Sequence, residues 1–179
     1  MPVRTVPEGG HAIALSTGYV YLSNNSKAPP ALPLSVQYAY GINDGLSLTA
    51  SLTKSIGVGL AARICHKNGV VPELTIATEP GYQLGVVSEN KPFTLRSSAT
   101  ASWDINTSAY IYSGMRHDHL PGYWSMLFPT IGLQSLGNIS IQIELRTAGY
   151  DFWDTTTPSI SRPSFIIPNG GIIGFVFAW

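Results

Sequence analysis

Apolar and small polar residues alternate along most of this chain, and a helical repeat is nowhere sustained. Residues 46–53, for example, read LSLTASLT, so that leucine and alanine occupy every second position and hydroxyl side chains occupy the others. Successive side chains of a β-strand point to opposite faces. The pattern therefore predicts an all-β fold whose strands each have one apolar face and one polar face.

The composition of the polar face distinguishes lipid from water as the surrounding medium. A soluble sandwich also alternates, but its outward positions carry many Lys and Glu. Here those positions hold Ser, Thr, Gly, Ala and Gln, and only 11% of the chain is charged against 44% hydrophobic, where about a quarter charged is typical. We expect the apolar faces to contact lipid and the polar faces to line a narrow lumen. A soluble β-sandwich, such as a capsid or lectin domain, is the alternative.

Closure into a barrel follows from the requirement that a membrane span satisfies its own backbone. No run approaches the roughly 18 apolar residues of a transmembrane helix. We predict a closed antiparallel up-and-down transmembrane β-barrel of about ten strands, with eight or twelve as alternatives, in a single domain over residues 1–179. The predicted strands lie near 11–23, 31–42, 45–53, 56–66, 70–78, 93–104, 107–116, 123–135, 138–149 and 170–179.

Connection lengths support this assignment, because such barrels alternate tight turns with longer loops. The tight turns, rich in Asn, Asp and Gly, are predicted at 42–45, 66–69, 104–107 and 135–138. The connections between them are predicted at 24–30, 54–55, 79–92, 117–122 and 150–169, and four of these five are long.

Charge and cysteine content exclude several classes of function. Ten basic and ten acidic residues give a formal net charge of zero, so we expect no nucleic-acid partner. A single cysteine, Cys65, excludes an internal disulfide framework and makes a zinc site unfavourable. We expect no metal and no cofactor. The opening residues MPVRTVPEGG lack an apolar signal core, so we expect a secretory signal to have been removed.

Two segments resemble bacterial outer-membrane β-barrel proteins. Residues 174–179, GFVFAW, are similar to the C-terminal signal of that family, and residues 38–48, YAYGINDGLSL, resemble its strand, tight turn and strand. The resemblance implies a bacterial outer-membrane location, with the lipid bilayer and the barrel-insertion machinery as partners. It also implies that Trp103 and Trp179 belong to a periplasmic aromatic girdle, and that the aromatic residues of the outer leaflet are Tyr19, Tyr21, Tyr123 and Trp124.

The first candidate site consists of charged residues at the alternate strand positions that are predicted to face the lumen. A three-residue turn after His66 would set Arg63 opposite Glu73 as an internal ion pair. The predicted lumen cluster consists of Arg63, Glu73, Arg96, Tyr110, Tyr112, Glu144 and Arg146, supported by Gln37, Gln134 and Gln142. We interpret it as a lumen plug, because a barrel of about eight strands is just filled by side chains. A narrow selective pore is the alternative, followed by catalysis.

A second candidate site is the segment His117, Asp118 and His119, which the sequence places in an outer loop. Imidazole and carboxylate together suit metal binding or acid–base chemistry, but an ordinary polar loop is the simpler interpretation.

The aromatic and acidic stretch 150–154 suits an interface tether or a partner site. The predicted strand 123–135 places Trp124, Met126 and Phe128 on the lumen face and contains Pro129. We favour a bulge that shifts the parity of this strand; the alternative is that these apolar side chains form a dry entrance for an apolar ligand.

Three functions remain compatible with these features. We favour a structural or assembly role, for example as a subunit of a larger envelope complex with other envelope proteins as partners. A narrow channel for small solutes is the second candidate. An outer-leaflet enzyme is the third, and since no serine has a recognisable nucleophile setting we expect that the protein is not an enzyme.

Overall fold

A computed structural model describes residues 4–20, 34–53, 55–66, 70–84, 93–120, 124–146, 150–151 and 170–179. The strands are β1 (His11–Val20), β2 (Leu34–Asn43), β3 (Leu46–Leu52), β4 (Ser55–Cys65), β5 (Glu73–Gln83), β6 (Phe93–Asn106), β7 (Ala109–Leu120), β8 (Trp124–Ser135), β9 (Ile139–Arg146), β10 (Tyr150–Asp151) and β11 (Gly170–Ala178). Within these ranges, no helix has the length and hydropathy needed to cross a bilayer.

The sheet closes on itself. Neighbouring strands from β1 to β9 pair antiparallel in chain order, and β11 pairs with β9 on one side and with β1 on the other. The two-residue β10 pairs with β8 next to β9. The described residues therefore form a barrel of ten long strands with one short addition, and the predicted closed antiparallel barrel is confirmed. Most predicted strand bounds agree with the structure to within a few residues.

Side chains of the two parities occupy opposite surfaces of the barrel wall. In β5, Glu73, Thr75, Ala77 and Glu79 are buried, whereas the residues between them are exposed. Three residues that a soluble sandwich would bury, Leu34, Leu48 and Ile141, are 69%, 40% and 49% exposed. The barrel is thus apolar on its outer surface and polar in its lumen, as lipid on the outside requires.

The barrel has two different ends. The turn end carries the hairpins between β2 and β3, between β6 and β7 and between β8 and β9, together with the first residue of β1. At this end the His11 and Trp179 backbones hydrogen-bond to each other, at 2.9 and 3.1 Å. The loop end is the opposite end, where β1 finishes and β2 begins. Trp103 and Trp179 lie near the turn end and are exposed, in the girdle position expected of them.

The segment before β1 folds into the turn end of the lumen, which the sequence did not predict. Val6 is buried, and its backbone N–H donates to the Ser47 hydroxyl oxygen at 2.8 Å. Gly9 N–H donates to the Gly41 carbonyl oxygen, and Gly41 N–H donates to that of Gly10. A Cβ atom at Gly41 would overlap the Pro7 carbonyl, so only glycine lets the segment lie this close to β2.

Two predictions about strand ends and bulges are wrong. Strand β5 continues to Gln83, so that Glu79 belongs to the barrel wall and not to a loop. The predicted bulge in β8 is not present, because β7 and β8 pair without a shift of register through Met115–Pro129 and Arg116–Phe128. Phe128 therefore keeps lumen parity.

Candidate functional site: the barrel lumen

Arg96 and Glu79 form the centre of one lumen network. They are direct cross-strand partners on β6 and β5, and Arg96 Nη1 lies 3.2 Å from Glu79 Oε1. Arg96 also donates to Ser51 at 3.0 Å, to Thr53 at 2.9 Å and to Ser55, while the Ser51 hydroxyl donates to Glu79. A Cβ atom at Gly57 would overlap the Glu79 carboxylate, so this glycine makes room for it. The carboxylate is fully buried and neutralised within the network.

A second network is built around Glu144 on β9. Arg146 Nε donates to Glu144 Oε1 at 2.6 Å, and the Tyr112 hydroxyl donates to Glu144 Oε2 at 3.0 Å. The Gln142 side-chain amide donates in turn to the Tyr112 hydroxyl at 2.7 Å. Gly132 is again the residue that makes room, because a Cβ atom there would overlap the Tyr112 ring. Each oxygen of the carboxylate therefore accepts a hydrogen bond, as a buried charge needs.

A third group closes the turn end. Arg4 Nη2 lies 2.6 Å from Asp104 Oδ1, Arg4 Nε donates to the Ser102 hydroxyl at 2.8 Å, and the guanidinium lies 4.1 Å from the centre of the Tyr110 ring. The Tyr110 hydroxyl donates to Gln134 at 2.6 Å. Arg4 therefore ties the segment before β1 to the wall formed by β6 and β7 through charge, hydrogen bonding and cation–π contact.

The structure distributes the predicted lumen cluster over several groups. Arg63 and Glu73 interact at 3.9 Å, but Arg63 is opposite Thr75 and not Glu73. The connection between β4 and β5 is longer than the predicted three-residue turn, since Cys65 lies opposite Leu74 where that turn would set it opposite Val71. Arg96 belongs to the first network, Tyr112, Glu144 and Arg146 to the second, and Tyr110 to the third. Sequence reasoning missed Glu79, Asp104 and Arg4. Lumen parity could have found Asp104, since it continues the alternation of β6.

In the part of the barrel that the structure describes, the lumen has a cavity toward each end. The turn-end cavity, of about 230 Å³, lies between the segment before β1 and the barrel wall, beside Arg4, Val6, Ala39 and Tyr110. The loop-end cavity, of about 240 Å³, is lined by charged side chains and by hydroxyls of β1 to β3. Its charged side chains are Glu79, Arg96, Arg116, Asp118 and Arg146. Gln37 and Glu79 border both cavities, so these residues lie between them.

The placement of His117, Asp118 and His119 in a loop is wrong, because all three lie within β7. Their parity separates them: Asp118 faces the lumen, while the imidazoles of His117 and His119 stack on the outer face with ring centres 6.0 Å apart. The carboxylate and the imidazoles therefore do not converge on one metal or one proton. In the part of the chain that the structure describes, no group of three His, Cys, Asp or Glu side chains is arranged to hold a metal ion.

A closed antiparallel barrel that is apolar outside and polar inside has the architecture of the outer-membrane β-barrel proteins, and this chain belongs to that class of fold. Ten chains of solved structures match it. One of them is Ail, the attachment invasion locus protein of Yersinia pestis, which is 12% identical, with 96% of this chain and 99% of that chain covered and a TM-score of 0.28. No protein-family model and no curated protein matches the sequence.

Proposed function

We propose that this chain is an integral barrel of the bacterial outer membrane with a structural or assembly role, for example as a subunit of a larger envelope complex. The observation that carries the proposal is the obstruction of the lumen by charged networks and by the segment before β1. Inside the lumen the Arg96 network joins β3 to β6, the Glu144 network joins β7 to β9, and residues 4–10 occupy its turn end. A barrel of about eight strands is just filled by its own side chains, and two further strands add little space.

The contacts at the turn end resist passage of a solute. Arg4 is held by an ion pair, a hydrogen bond and an aromatic ring, and Val6 is buried against β3. A solute crossing the lumen would have to displace Arg4 and then part the networks around Glu79 and Glu144. Each of these is a buried or partly buried charge whose neutralising partner would be lost on displacement.

The outer surface defines the partners that we propose. Leucine, isoleucine and phenylalanine side chains, for example Ile143 and Phe175, are about half exposed there, so the lipid bilayer is the first partner. The barrel-insertion machinery would recognise β11 during biogenesis, and other envelope proteins would bind the loop end or one flank of the wall. No catalytic role is proposed, because Asp118 and the imidazoles of β7 lie on opposite faces.

A narrow channel is the second candidate. Its supporting observation is that the two lumen cavities approach each other at Gln37 and Glu79. Rearrangement of Arg96 away from Glu79 and withdrawal of residues 4–10 would join the cavities to both ends. In this candidate function the turn-end segment is a gate, whereas in a structural barrel it is a permanent plug.

Conductance in planar bilayers separates these two functions. We expect the natural chain to give no single-channel steps. We expect Gly41→Ala to expel residues 6–10, because the added Cβ overlaps the Pro7 carbonyl, and therefore to expose this segment to cleavage by an added protease. The variant should still give no conductance steps, because the networks around Glu79 and Glu144 remain in place, and steps from it would favour the channel. Gly45→Ala is the matched control in the same hairpin, since a Cβ there meets only Asn43 Oδ1 at 3.7 Å. Regular steps from the natural chain would contradict the closed lumen.

A complementation assay tests the structural role directly. Ala14→Leu places a larger side chain in the turn-end cavity and so reduces its free volume. Ile13→Leu, which changes the neighbouring lipid-facing side chain, is the control. In cells that lack the natural chain, both variants should restore envelope integrity, measured as exclusion of a hydrophobic dye. Loss of function in Ala14→Leu alone, with normal folding in detergent, would favour the channel.

A further inference from the structure

Two buried polar atoms on side chains that line the loop-end cavity have no hydrogen-bond partner among the described residues. They are Arg116 Nε, a donor, and Asp118 Oδ1, an acceptor. Arg116 and Asp118 are two residues apart on β7, so both side chains leave the same face of the strand and enter the same cavity. A buried polar atom without a partner is unfavourable, which makes this pair a candidate for binding a ligand.

The other charges of the cavity already have partners. The Arg96 guanidinium is engaged by Glu79 and by hydroxyl groups of β3 and β4. Arg146 forms an ion pair with Glu144. Among the described residues that line the cavity, the buried charged-group atoms without a hydrogen-bond partner are therefore one donor on Arg116 and one acceptor on Asp118.

The remaining walls and the size of the cavity restrict the ligand further. Opposite β7, the cavity is lined by small hydroxyl residues of β1 to β3, where Ser16 and Ser35 hydrogen-bond to each other at 2.8 Å. The cavity volume of about 240 Å³ is below the range of about 300–1,000 Å³ for sites that hold drug-sized ligands. The site therefore suits a small, polar molecule.

We propose that the loop-end cavity binds a small zwitterionic solute of the amino-acid class, with its carboxylate on Arg116 and its ammonium group on Asp118. A simple anion would satisfy Arg116 but would meet the Asp118 carboxylate, and a simple cation would do the reverse. A solute with both charges satisfies both groups. This binding needs access to the loop end only, so it does not depend on whether the turn end opens.

Titration calorimetry of the full chain, refolded in detergent micelles, tests the proposal with three probes that differ in charge. L-alanine carries both charges, N-acetyl-L-alanine only the negative one, and L-alanine methyl ester only the positive one. We expect L-alanine to bind with a Kd below about 1 mM and the two blocked probes to bind at least about tenfold more weakly, since each loses a charge-assisted hydrogen bond.

Variants of β7 provide the controls. Arg116→Gln and Asp118→Asn should each weaken L-alanine binding by about tenfold or more. His119→Gln, on the outer face of the same strand, should leave binding unchanged, and circular dichroism of every variant verifies the barrel. Equal binding of N-acetyl-L-alanine that survives Asp118→Asn would show a plain anion site, and equal binding of the methyl ester a plain cation site. Either result, or failure of the natural chain to bind L-alanine, overturns the proposal.

Discussion

Replacing Glu79 by alanine is expected to lower the free energy of unfolding by about 3 kcal/mol, the lower end of the range for breaking a buried ion pair. Glu79 is 2% exposed and is the anion that Arg96 contacts at 3.2 Å. Without it, the described hydrogen bonds that the guanidinium keeps are those to the hydroxyl groups of Ser51, Thr53 and Ser55. Urea unfolding in lipid vesicles, monitored by tryptophan fluorescence, measures the change.

The double variant Glu79→Ala with Arg96→Met is the control for this experiment. It also removes the Arg96 guanidinium that Glu79→Ala leaves without its anion, so it should recover part of the lost stability. Comparison with the two single variants gives the coupling energy of the pair. A loss below about 1 kcal/mol for Glu79→Ala would match a solvent-exposed ion pair. The lumen would then be water-filled at this level, and the proposed plug would be wrong.

Replacing Ile143 by arginine is expected to destabilise the barrel by about 2–4 kcal/mol, the cost of a lipid-facing charge near the bilayer midplane. Ile143 lies in the middle of β9, its side chain is about half exposed, and its parity is that of the outer surface. The same unfolding measurement in vesicles reports the loss, because the arginine faces hydrocarbon only in the folded state.

Ile139 is the matched control, since it is the first residue of β9 and has the same parity. The cost of a lipid-facing charge falls to about 0–1 kcal/mol near the interface, so Ile139→Arg should be nearly neutral. Equal, small effects at Ile143 and Ile139 would show that the outer surface does not lie in hydrocarbon.

The alternation of small polar and apolar residues was sufficient to predict which side chains face the lumen. Arg96 and Glu144 lie on the lumen face that alternation predicts, because the apolar residues of each strand keep one parity, with Ser97 as an exception in β6. Strand pairing was predictable only where a turn fixes it. The connection after Cys65 is longer than the tight turn predicted at 66–69, so Cys65 lies opposite Leu74, and Glu73 is out of direct register with Arg63.

Two features of the site could not be predicted from local sequence. Glu79 is followed by Pro80 and Gly81, which are typical of a loop, yet β5 continues through all three. The segment before β1 has no alternation, and the partner of Arg4 is Asp104, 100 residues away, so only the closed barrel brings them together. His117 and His119 lie in a wholly polar run, in which periodicity does not distinguish a strand from a loop.

The pairing of β1 with β11 sets a condition on how this protein enters a membrane. Each of the other long-strand pairs from β1 to β9 joins consecutive strands, but this pair brings together His11 and Trp179 from distant parts of the sequence. Before it forms, both edge strands present rows of unpaired backbone groups, and each such group costs several kcal/mol in hydrocarbon. Strands β1 and β11 must therefore pair as the sheet crosses the headgroup layer, or another protein must cover both edge strands until they pair.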